Sequence, residues 1–256
     1  MTATEALHKA AQYLATAAKS FVPHEEDDSH TNMGWNQVES TLFTRALNDE
    51  GLRLELNHKA YALDVVHPKS GLSGSFPLIG ANHFAIVQWL DQERTFCGIK
   101  TPYSFDLHYD LGYSNSLDDA FTFPSVPGDA LEEEIQRRNT ANDALNSILA
   151  EEQSNSSPRI WPHHFDTGAL IEEGKEGIVS FGLGMAIPDA VISEHYLYVS
   201  AYDSQGSIST DGMVELSLGK WFNASWKGAA VPVNGLNTEM AIRFYREVLE
   251  AFRSRA

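Results

Sequence analysis

Apolar residues recur at helical spacing in three stretches of the chain and alternate with polar residues in most of the others. In the first stretch Leu7, Ala11, Leu14, Ala18 and Phe21 form one stripe. Thr2-x-x-Glu5 opens it as a capping box, and Pro23 closes it. His8 and Lys19 fall off this stripe, and the pattern assigns them no role. The second stretch starts at Asp129-x-x-Glu132 and carries Leu131, Ile135, Leu145, Ile148 and Leu149 to about Glu152. Arg138 and Asn142 lie near its buried face, where Arg138 could reach an acidic ligand. The third runs from an Asn237 cap through Met240, Phe244, Val248 and Phe252.

Alternation predicts strands between these helices. Leu52-Arg53-Leu54-Glu55-Leu56 is the clearest, followed by residues 61–66, 83–90, 94–99 and 105–111. In the last of these Phe105, Leu107, Tyr109 and Leu111 share one face, and Asp106, His108 and Asp110 the other. The second face reads as the wet side of a sheet or as a metal-binding row. Residues 71–74 read as a turn. Further on, residues 167–171, 178–185, 195–202 and 221–233 read as strands. The fold class predicted is α+β, with more strand than helix and largely antiparallel β-sheets. Helices fall at the N-terminus, in the middle and at the C-terminus. Residues 1–256 are expected to form a single domain, with two similar β-rich halves at about 36–128 and 159–234. The halves are suggested by His83-Phe84-Ala85-Ile86-Val87 and His195-Tyr196-Leu197-Tyr198-Val199, with a polar break at residues 153–158 between them.

Charge narrows the partners. Thirty-five acidic residues face 18 basic ones, a net charge of -17. Such a surface disfavours nucleic acid and anionic membranes and attracts cations. Cys97 is the single cysteine, which excludes an intramolecular disulfide. The first residues lack a signal-peptide pattern, and no apolar run approaches the roughly 20 residues of a membrane span. A cytoplasmic location is the expectation.

The densest chemistry lies in Arg159-Ile160-Trp161-Pro162-His163-His164-Phe165-Asp166-Thr167-Gly168. If this run is extended, His164 and Asp166 share a face, and a carboxylate beside an imidazole can fix its tautomer and raise its basicity. His195 opens an apolar face and needs a partner there. The predicted site therefore uses His163, His164, Asp166 and His195 as candidate catalytic groups. Trp161 and Arg138 are candidate ligand-binding residues, and Asp28, His30 and Trp35 join them from the acidic loop at residues 24–35, which would fold over the site. Gly182-Leu183-Gly184 lacks a following helix pattern and so is no nucleotide-binding motif. The Cys clusters, the Gly-x-Ser-x-Gly elbow and the helical zinc-protease spacing are missing too. Three readings stand. The first, preferred, is a small-molecule pocket, with or without catalysis. The second is a divalent metal held by the same residues. The third is a non-catalytic interaction module.

The Trp161-Pro162-His163-His164-Phe165-Asp166 motif precedes a Gly-rich strand, the aromatic run Tyr196-Leu197-Tyr198-Val199-Ser200-Ala201-Tyr202 and a closing helix. In this, residues 159–252 resemble an uncharacterised bacterial family classed as a domain of unknown function. The resemblance implies no activity. Where that family usually has a Pro-Gly turn after the Gly-rich strand, this chain has Ala186-Ile187-Pro188-Asp189.

Overall fold

The computed structural model describes residues 1–114, 116–174 and 179–255. The class is α+β, with four α-helices and two antiparallel sheets among the described residues. Helix outweighs strand, against expectation: the helices run to 19, 14, 24 and 16 residues, while no described strand exceeds eight. Two compact units divide the chain. The first comprises Met1–Ile135 and Ile160–His164, the second Gln136–Arg159 and Phe165–Ala256.

The first unit opens with α1 (Ala3–Phe21), whose Thr2 hydroxyl accepts from the Glu5 N–H as the capping box predicts. Its sheet runs in sequence order: β1 (Gly34–Asn36), β2 (Thr41–Phe43), β3 (Arg53–Asn57), β4 (Ala62–His67) and β5 (Gly71–Pro77). The turn expected at residues 71–74 is instead the start of β5, paired with β4 across a bulge at Val65/Val66. The strand expected at residues 83–90 is helical. The Asn82 side chain accepts from the Ala85 N–H and starts α2 (His83–Phe96), burying Ile86 and Leu90 four residues apart. Residues 94–99, also read as a strand, end this helix and turn away. The helix α3 (Gly128–Glu151) begins in the first unit.

The second unit holds β7 (Thr167–Glu173), β8 (Val179–Ala186), β9 (Tyr196–Asp203), β11 (Lys220–Asn223) and β12 (Lys227–Pro232), and of the two-residue β6 (Arg159–Ile160) it holds Arg159. The order is β11-β12-β9-β8-β7-β6, and β10 (Gly206–Ser207) pairs with β9. Residue 178, predicted to begin a strand, lies outside the described residues. The closing helix α4 (Thr238–Arg253) starts at an Asn237 cap and buries Ala241, Phe244, Tyr245, Val248, Leu249 and Phe252. These pack with Phe181, Leu183, Met185, Leu197 and Val199 from β8 and β9 into one apolar core. The paired segments that suggested two similar halves differ in kind. His83 begins a helix, whereas His195 directly precedes β9.

Candidate functional site

In the first unit the site is built on the buried face of α1. Residues 6 to 18 of that helix are all buried, and among them are His8, Lys9, Gln12 and Thr16. Buried polar side chains are costly unless bonded, so each of these finds a partner. Their partners come largely from residues 103–113, which form no strand among the described residues. This strap is pinned where Thr16 meets the Tyr103 hydroxyl at 2.7 Å, where Tyr109 donates to Gln12 Oε1 at 2.7 Å, and where His8 Nδ1 meets the Tyr113 hydroxyl at 2.9 Å. Lys19 donates to the Asp106 carboxylate at 2.7 Å near its other end. Lys9, fully buried, pairs with Glu5 at 2.9 Å and lies over the Phe121 ring at 4.9 Å.

The same stripe fixes the central motif. The Pro162 carbonyl accepts from His8 Nε2 at 2.8 Å and from Gln12 Nε2 at 2.9 Å. A carbonyl only accepts, so His8 carries a proton on Nε2, and in the neutral ring Nδ1 accepts a hydrogen bond from the Tyr113 hydroxyl. Held this way, Pro162, His163 and His164 form a turn, and Phe165 follows with φ +55°. The extended conformation expected here is not formed, and the face-sharing argument for His164 and Asp166 lapses with it. Instead His163 and His164 tilt against each other with ring centres 4.3 Å apart, and Trp161 lies edge-on to His163 at 6.2 Å.

The acidic loop lies in the same unit, and the exchange of hydrogen bonds between Met33 and Ile160, 2.9 Å each, joins its end to the start of the motif. Three of its side chains converge: His24, Asp28 and His30 each bring one ligand-type atom to within 4.8 Å of the others. Asp28 sits in the left-handed region at φ 59°, ψ 11°, a conformation Asp tolerates better than most residues. His30 is buried, Asp28 is half-buried and His24 is exposed, so the cluster opens to solvent on one side. His108 of the strap donates from Nε2 to Asp28 Oδ2 at 3.0 Å. The rings then continue from His108 to Tyr109 at 5.0 Å and from Tyr109 to His163 at 5.8 Å.

The electrostatics favour the neutral form of two of these rings, His30 and His163. Burial lowers the pKa of His30, and the neighbouring His24 lowers it further, against the opposing pull of Asp28. His163 is lowered by burial and by His164, again against Asp28. Burial raises Tyr109 well above the usual phenol value and Tyr113 to about 12, so both stay hydrogen-bond donors.

The predicted residues therefore divide. Asp28, His30, Trp161, His163 and His164 belong to the first unit, and Asp166, His195 and Arg138 to the second. Trp35 also belongs to the first unit. It is buried in β1 opposite Leu42, with its ring edge-on to His58 at 5.0 Å. In the second unit Asp166 accepts from the Tyr198 hydroxyl at 2.6 Å, and burial and this carboxylate together push Tyr198 far above its usual pKa. A Cβ on Gly184 would collide with Tyr198 and with the Thr167 carbonyl, which explains one glycine of Gly182-Leu183-Gly184 without any phosphate. Arg138, expected near the buried face of its helix, is 1% exposed. It stacks on Phe165 at 4.6 Å and donates to Thr167 at 2.8 Å. His195 is buried, and its carbonyl accepts from Val233 at 2.9 Å.

Sequence reasoning missed His8, Gln12, His24 and His108 as members of the site. A signal existed for the first two, because polar residues at positions 8, 12 and 16 make a second stripe at helical spacing. Comparison with known proteins adds nothing to this geometry: no family model, no curated protein and no solved structure matches the chain.

Proposed function

We propose that the first unit binds one divalent transition-metal ion through His24, Asp28 and His30, and that a small molecule or water takes the coordination positions these residues leave open. The convergence of the three ligand atoms within 4.8 Å carries this reading. Two imidazoles and one carboxylate are a donor set suited to zinc or iron(II), and three protein ligands leave room for a fourth partner. A metal ligand must be an unprotonated imidazole, and burial already biases His30 that way. The exposed acidic side chains of Glu25, Glu26 and Asp27 and the -17 net charge favour cation entry. His163 is near enough to feel the Asp28 charge, and its ring would offer a proton acceptor to a metal-held ligand.

Among the described residues no helix is long and apolar enough to cross a membrane. A cytoplasmic location and the lack of a nucleic-acid partner belong to this proposal and rest on composition alone. Zinc titrated into chelator-treated full-length protein should bind saturably at one ion per chain. His24→Ala, an exposed position, should weaken binding at least tenfold with the circular dichroism spectrum unchanged, because losing a ligand costs no less than losing a partner that merely orients one. Saturable zinc binding that is indifferent to His24 would overturn the assignment, as would no binding at all.

A further inference from the structure

We infer that His108 is a positioning residue for this metal site: it orients the Asp28 carboxylate and thereby ties the metal-bearing loop to the strap on α1. The inference rests on the metal reading of His24, Asp28 and His30. A carboxylate has two oxygens, and in this structure Oδ2 accepts from His108 Nε2 at 3.0 Å. His108 is not a member of the convergent group, so its place is beside the carboxylate rather than on the ion. Partners of this kind fix the orientation of a ligand and tune its affinity.

The neighbouring cation does not compete for this role. Arg45 donates to the Ser29 carbonyl at 3.0 Å and to Asn32 Oδ1 at 3.3 Å, which secures the loop behind Asp28. On its own side, His108 is held by the residues around it. Asp106 is paired with Lys19, and Tyr109 and Tyr113 are anchored to Gln12 and His8. The strap has little backbone ladder to hold it, so these side-chain bonds and the Asp28–His108 contact carry its position. A metal on Asp28 fixes the carboxylate, and the fixed carboxylate in turn holds His108 and the strap.

The test uses the full chain, zinc, and a chelating dye as competitor. His108 and Asp28 are both partly exposed, at 46% and 42% of their side chains, so His108→Ala removes no buried side chain. It should weaken zinc binding about tenfold, the lower end of the range for such partners. His108→Gln, which keeps an N–H donor, should restore most of the loss, whereas His108→Leu, which keeps bulk without a donor, should not. Zinc should slow amide exchange across residues 103–113 in the wild type but not in His108→Ala. If wild type binds zinc and His108→Ala binds it equally, with the same exchange pattern, the role of His108 is refuted while the metal site stands. If wild type binds no zinc, the metal reading falls and this inference with it.

Discussion

Helices α1 and α4 solve burial in opposite ways. The inner face of α4 is apolar apart from the Tyr245 hydroxyl, which donates to the Gly184 carbonyl at 2.9 Å, and it packs onto β8 and β9. Its charges stay outside, as where Arg246 forks onto Glu151. Helix α1 instead buries His8, Lys9, Gln12 and Thr16 along with its alanines and leucines. The difference follows from what each helix faces. A sheet satisfies its own backbone groups and asks only for apolar contact. A strap and a turn have unpaired groups that need side-chain partners, and α1 supplies them. Buried polar residues on a helix thus mark the place where irregular backbone is being held.

The largest effect should come from the apolar side of the comparison. Phe244→Ala deletes a fully buried ring from the second unit and should cost about 3–5 kcal/mol in urea denaturation. A loss under 1 kcal/mol would mean that α4 is not the packing element described. Gln12→Ala should come next, at roughly 1–3 kcal/mol, because it leaves the Tyr109 hydroxyl without its acceptor and takes one of two donors from the Pro162 carbonyl. It should also weaken zinc binding, which Phe244→Ala assayed on folded protein has no local reason to do. A neutral Gln12→Ala would break the comparison at its root.

Smaller effects sharpen it. Thr2→Ala removes the α1 cap and should cost about 1 kcal/mol without changing zinc affinity, separating the end of the helix from its polar stripe. The smallest change is with pH. Burial lowers His83 and His163, both in the first unit. Above their unfolded value of about 6.5 both states are neutral, and below it the unfolded chain takes protons first. Stability of the metal-free protein should therefore fall as the pH drops below about 6.5 and level off once the folded values are passed. A His83→Gln, His163→Gln double variant should reduce that slope and leave the part due to His30, which burial also lowers, and an unchanged slope would count against the buried assignment of these rings.

Much of the fold was legible. The Thr2 cap, the Asn237 cap, the α4 stripe and the alternation in β3 all rest on local rules, and each took the form those rules predict. Residues 105–111 are more instructive. Their alternation is real: Phe105, Leu107, Tyr109 and Leu111 are less exposed than Asp106, His108 and Asp110. The surface they alternate against is a helix, with Phe105 on Tyr13 at 5.1 Å and Tyr109 bonded to Gln12, rather than a neighbouring strand. Period two reports an extended chain with one covered face, and says nothing of what covers it. Residues 83–90 misled for another reason, because their aromatic and β-branched content outweighed the Asn82 cap.

The site was half legible. Asp28 and His30 stood out as ligand-type residues in an aperiodic loop. His24 was seen only as part of that run, and His108 only as part of an alternating row. The link between His108 and Asp28 spans 80 positions, and no local rule encodes a contact at that separation. Pro162 was read as part of an extended run, when its place was a turn whose carbonyl α1 captures.

X-ray absorption at the zinc edge of the loaded, full-length protein tests the central claim most directly. The account predicts a nitrogen and oxygen shell near 2.0–2.1 Å with the outer scattering of two imidazoles, and the loss of one imidazole in His24→Ala. A shell of water oxygens without imidazole, or one unchanged by His24→Ala, would contradict it.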